Sequence, residues 1–277
     1  MSDATLPPTS TAIDGLATHP GRPAVPTLEE LGLRNTLFLA ALLRAQAQRV
    51  PVAPTHSSAL SVLDALQVLA LIQVPWPADR WKIRPDAEVT PLEDLQWAFS
   101  WSAHDRKLLL PALEDQLSEL ALSHALVEER VALWDELAIW ETEHFLEQQL
   151  RKHQFDANWA RDLRFVFHSA PVGLPIAQWR YCCWAAVRQG ASVALRRSLS
   201  DGSCVREAIF QEMHNRLRYL ERGSTQLGMF TPFHVSPASA LAQLFMEYVV
   251  PTGWAYWTSK RIDSEVRAHM RRIEDQG

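Results

Sequence analysis

Apolar residues in this chain gather in blocks set among Ala, Leu, Glu, Gln and Arg, and the blocks carry helix signals rather than strand signals. Residues 37–43 are apolar without a break, which predicts a helix hydrophobic all round and enclosed by its neighbours. Thr27 and Glu30 have the spacing of a capping box that opens this segment, and Pro51 and Pro54 lie beyond its end. Ser57 or Ser58 caps a second such helix over 59–74. Four prolines together with Trp76 and Trp81 make 75–91 a loop or an interdomain connector. Thr90, Pro91 and Glu93 then form the next helix start, and that helix carries Leu92, Leu95, Phe99 and Trp101.

Between 112 and 170 there is neither Gly nor Pro, so propensity alone predicts helix. One apolar stripe runs Leu113, Leu117, Leu120, His124, Val127, Val131, Trp134; a second runs Leu126, Leu133, Leu137, Trp140, His144. A single helix from Pro111 to about His153 would be roughly 60 Å long, so a bend or loop is expected at 123–129, where one stripe gives way to the other. Asp156 or Asn158 caps a helix ending before Pro171; Pro175 starts one reaching about Arg197; Ser203 caps one over 204–221, with Gly223 as terminator. Ser236 and Pro237 start a helix that Pro251 stops or kinks, and a last one covers about 254–273. No sustained alternation of period two and no repeat of fixed period is present. The expected fold class is all-α: a disordered, proline-rich arm (1–26), a smaller N-terminal helical unit (27–90) and a larger multi-helix bundle (91–277).

With 277 residues, 47% of them apolar, and a net charge of −5, the chain suits a soluble protein of one or two domains. The apolar block 59–74 is short for a membrane span and contains Asp64, Gln67 and Gln73, so no membrane partner is expected. The first 20 residues hold no Lys or Arg, unlike a secretory signal, and three cysteines are too few for a disulfide scaffold. The expected location is the cytoplasm. Arg outnumbers Lys 23 to 4, which reflects either coding bias or selection for planar contacts to carboxylate or phosphate. Net charge is −3 over 1–99, −7 over 100–160 and +5 over 161–277, an acidic middle followed by a basic end.

Catalytic signatures are scarce. The ten glycines form no phosphate loop, and Gly190-Ala191-Ser192-Val193-Ala194 lacks the final glycine and the strand-to-helix turn of a nucleophile elbow. Cys182 and Cys183 are adjacent, point about 100° apart on a helix, and read as small buried hydrophobes beside a distant Cys204. Glu141 and His144 form the one E-x-x-H pair, the spacing used in carboxylate-bridged di-metal bundles. A metal-dependent oxidase holding iron or manganese would recruit Glu207 and His214 as well. A second rival is an N-terminal DNA-binding pair of helices with Arg34, Arg44 and Arg49.

The weightier feature is basic. Arg180, Trp184, Arg188, Ser192 and Arg196 recur every four residues, and His214, Arg218 and Arg222 repeat the spacing on the next helix. If both helices face one way, they make an Arg/Trp surface for an acidic protein or a nucleic acid. In the competing arrangement, the acidic 100–160 segment neutralises these arginines within the chain or across a homo-oligomer. The expectation is a non-enzymatic interaction or regulatory protein without a cofactor.

Overall fold

The computed structural model describes residues 27–73, 98–162, 166, 174–196, 202–221, 228–234, 237–250 and 253–260. Within them the chain is an all-α bundle of α1 (Gly32–Gln48), α2 (His56–Val68), α3 (Ala103–Leu122), α4 (Val127–Lys152), α5 (Trp159–Asp162), α6 (Ile176–Arg196), α7 (Gly202–Glu221), α8 (Ala240–Leu244) and α9 (Ala255–Thr258). A two-residue antiparallel pair, β1 (Ile72–Gln73) with β2 (Ala98–Phe99), matches Ile72 to Phe99.

The unbroken apolar run lies in α1, where Leu37, Phe38, Leu39, Ala40 and Ala41 are fully buried. It is enclosed as its composition requires, because α2, α3, α4 and α8 all pack on it. Arg44, 6% exposed, donates hydrogen bonds to Glu114 on α3 at 2.6 Å and to Glu247 at 2.5 Å, with its plane over Tyr248. Arg34 binds Glu136 on α4 with both terminal nitrogens. The acidic middle of the chain thus neutralises arginines of its first third.

Several boundaries differ from the sequence expectation. The cap of α2 is Thr55, whose hydroxyl accepts from the Ser58 N–H at 3.1 Å while Ser58 Oγ accepts from the Thr55 N–H at 2.9 Å. The helix stops at Val68 rather than continuing to 74. A left-handed Ala70 turns the chain so that Leu71 and Ile72 enter the core, and Ser100 donates to the freed Ala70 carbonyl at 2.6 Å. Phe99 and Trp101 are buried, but on β2 and the turn after it; the helix that follows opens at Ala103, with Ser102 accepting from the Asp105 N–H. Pro111 lies inside that helix. The expected break is present, as Ser123 is extended and a single 3₁₀ turn at His124–Leu126 precedes α4. Ser239 caps α8, which passes into a π-helical turn at Phe245–Val249. Among the described residues the last helix closes at Thr258, where Ser259 is extended, with Tyr256 and Trp257 drawn inside. The arm 1–26, the connector 75–91, the start at Thr90, Pro91 and Glu93, Gly223, and 261–273 lie outside the described residues.

Two apolar clusters result. The first joins α1, α2, α3, the first half of α4, Ile176 at the start of α6, residues 240–250, Tyr256 and Trp257, so it draws on both sides of position 90. The second joins the last half of α4 with α5, α6 and α7. Helix α4 runs through both: Leu133, Trp134, Leu137 and Trp140 serve the first, and Phe145, Leu146 and Leu150 the second.

Helices α6 and α7 approach closely at Gly190, where an added Cβ would come within 2.5 Å of Ile209 Cγ1 and 3.5 Å of Val205. Ile209 is 1% exposed and has nowhere to swing. Gly190→Val should therefore destabilise the fold by about 2 kcal/mol, and Ile209→Ala, harmful alone, should recover part of that loss in the double variant. Urea midpoints of the four proteins check this; additive losses would mean the two residues do not meet.

Candidate functional site

Beside the α6–α7 seam lies an open groove of about 270 Å³, lined among others by Tyr181, Trp184, Arg188, Gln189, Glu212 and Arg216. The helical period brings these residues together: Tyr181, Trp184 and Arg188 are three and four apart on α6, and Glu212 and Arg216 four apart on α7. Tyr181 and Trp184 lie 5.7 Å apart, ring to ring. Arg188 covers the Trp184 ring at 4.8 Å, and Arg216 covers Tyr181 at 5.8 Å while bonding Glu212 at 2.7 Å. Burial works against the charge of Arg216, but its bond to Glu212 prevails and holds the guanidinium pKa above its ordinary value. Arg188 is exposed and has no carboxylate partner among the described residues. Among the described residues, the groove therefore carries one uncompensated positive charge over an aromatic floor.

The structure divides the basic series rather than gathering it. Trp184 and Arg188 are in the groove. Arg196, exposed and without a partner among the described residues, ends α6. His214 and Arg218 each lie two residues beyond a groove residue, which turns them roughly 200° around α7; both are exposed on its outer face. Arg222 is outside the described residues. Arg216 was missed by sequence reasoning, although Glu212 preceding it by four is the favoured order of an i, i+4 pair.

No family model, curated protein or solved structure matches this chain.

Arg180 points inward. Its guanidinium sits 4.4 Å from the Phe145 ring and 5.4 Å from that of Trp257, and its Nε is buried without an acceptor. Phe145 belongs to the second apolar cluster and Trp257 to the first, so Arg180 occupies their junction. The same junction holds Glu141, 7% exposed, whose Oε1 accepts no hydrogen bond. Burial raises the Glu141 carboxyl to about 7, against the opposing pull of Arg180. Arg180 is itself lowered by burial, with Glu141 pulling the other way. One turn on, His144 is lowered by burial and by repulsion from Arg151 and Arg180, and its Nε2 pairs with Gln148 at 2.8 Å.

The di-metal arrangement is not assembled. Glu207 and His214 face outward on α7, and α6 packs against both α4 and α7. Among the described residues no group of three or more His, Cys, Asp or Glu side chains could hold an ion. Burial raises the thiols of Cys182, to about 12, and Cys183, which suits packing rather than nucleophilic work. Of the N-terminal arginines, Arg34 and Arg44 are spent in ion pairs, which leaves Arg49 alone. No helix of the described residues is long and apolar enough to cross a membrane.

Proposed function

We propose that this chain is a non-enzymatic helical binding protein whose α6–α7 groove takes an acidic segment of a protein partner. The observation that carries the reading is Arg188, without a carboxylate partner among the described residues and stacked on Trp184 in an open groove. A planar guanidinium held by an aromatic ring loses little freedom when it engages a carboxylate in a two-pronged contact. Arg216 adds a second donor already oriented by Glu212. A nucleic acid is the weaker fit, since a phosphate backbone needs a continuous basic track and the described cations are divided between the groove and the outer face of α7. None of the three cysteines is in a disulfide, which suits a reducing cytoplasm.

The test is fluorescence anisotropy of a labelled oligo-glutamate peptide and of labelled single- and double-stranded DNA, titrated at low and moderate salt. Arg188→Glu should weaken peptide binding about tenfold or more, while Arg218→Glu, on the far face, should change it less than about twofold. Peptide affinity indifferent to Arg188→Glu removes the groove from the reading. DNA binding lost in both variants would move the function to nucleic acid.

A further inference from the structure

The groove has an apolar neighbour. Residues 228–230 lie across α6: the Phe230 N–H donates to the Ala177 carbonyl at 2.8 Å, and the Phe230 ring rests 4.9 Å from Phe145 and 6.2 Å from Trp184. Gly228 is set so close to Tyr181 that a Cβ would meet that ring at 2.7 Å. Tyr181 and Trp184, the floor of the groove, are thus also the bed of this strap. With Phe230 holding the strap down, its neighbours point away from the protein. Met229 is 50% exposed and Phe233 100% exposed. Three residues reach about 10 Å at most, so Phe233 stays close to the Tyr181 end of the groove.

A fully solvated Phe forgoes about 2 kcal/mol of burial, and large apolar side chains next to an arginine and aromatic floor are the usual composition of an interface anchor. Helices α6 and α7 run antiparallel, since Gly190 meets Ile209 and Val205 while Tyr181 meets Arg216. The surface therefore has a direction: strap and apolar side chains at the N-terminal end of α6, the exposed cation of Arg188 further along it. From the level of Ala177 to that of Arg188 is roughly 16 Å along the helix.

Resting on the groove reading above, we infer that Met229 and Phe233 form the apolar half of the docking surface. The partner segment is then amphipathic, with a carboxylate for Arg188 and a large apolar side chain for the strap. The two features are separated by roughly five residues in an extended segment or eleven in a helical one. Charge complementarity selects this occupant, because Arg188, which has no carboxylate partner among the described residues, is a cation, and Met229 and Phe233 present apolar side chains to solvent.

A phage-displayed library of random 16-residue peptides, long enough for either spacing, is selected on the full chain. The recovered peptides are resynthesised with a label and titrated against wild type, Met229→Ser/Phe233→Ser and Arg188→Glu. Circular dichroism and Tm confirm that each variant is folded; the replaced side chains are at the surface, so no change is expected. Selected peptides should combine Asp or Glu with Phe, Leu, Ile or Met, and should lose about tenfold in affinity in each variant. Peptides that weaken with Arg188→Glu but ignore the strap variant overturn the inference and leave the groove reading intact. Peptides indifferent to Arg188→Glu overturn the groove reading itself, and a library that yields no clone above background removes both.

Discussion

Glu141→Gln is expected to make this protein more stable at pH 8, by about 3 kcal/mol, and to change little at pH 4. The direction follows from the environment of the carboxyl. It is 7% exposed, its Oε1 has no donor, and Arg180 attracts it without closing a hydrogen bond to it. Burial outweighs that attraction, so the folded state holds the proton up to about pH 7, whereas the unfolded chain releases it near 4.5. Between these values the native state binds more protons, and stability falls as pH rises; above about 7 the whole loss is in force. Gln keeps the shape and never ionises, so it removes the slope. His144 gives the opposite slope at lower pH, being held neutral by burial, and the difference between wild type and Glu141→Gln isolates the carboxylate. Urea unfolding at pH 4, 6 and 8 measures this, and a constant difference across the three would mean that Glu141 does not titrate within the folded protein. Arg180→Ala is the companion. It removes the opposing charge of Arg180 and the packing on Phe145 and Trp257, so its loss should be larger at pH 8 than at pH 5.

This junction shows where sequence reading stopped. Arg180 looked like the first member of a four-residue series, and nothing local distinguishes it from Arg188. What turns it inward is Phe145 and Trp257, which are 35 residues before and 77 residues after it. The all-α class, the enclosed α1 and the break at 123–126 were legible because each rests on local propensity or on one stripe. The early end of α2 was not. Its cause is tertiary, the demand that Leu71 and Ile72 enter the core and that Phe99 pair with Ile72. At the start of the expected 254–273 helix, the extended Ser259 ends the helical turn at Thr258 with Tyr256 and Trp257 buried in the first core, and the sequence pattern carries no signal for that stop. In the groove, Trp184 and Arg188 were visible as an i, i+4 pair, while Arg216 and the strap required the packing of α7 and of residues 228–230 on α6.

Trp134→Ala should produce the largest loss of a single core change, about 3 to 5 kcal/mol. Trp134 is fully buried on α4 and stacks on Tyr256 at 6.0 Å with 8° between planes, while Phe245 meets it edge-on at 6.1 Å. These partners come from the chain's last quarter, which is also tied by bonds from the Ala240 and Leu241 N–H groups to the Pro51 and Val52 carbonyls and by the Arg44–Glu247 pair. Removing the indole therefore opens a cavity at the place where residues 240–257 are fastened to α4, and the next turns of α4 carry Glu141 and Phe145. Disorder there would reach Trp257, which lies over Arg180, and through Phe145 the Phe230 strap. Trp134→Phe keeps an aromatic surface for Tyr256 and should cost about 1 to 2 kcal/mol. Hydrogen exchange of 240–257 separates a local effect from a global one. Selective loss of protection in that segment with Trp134→Phe supports the fastening role, whereas uniform loss throughout both clusters would make Trp134 an ordinary core residue with no special hold on the C-terminal segment.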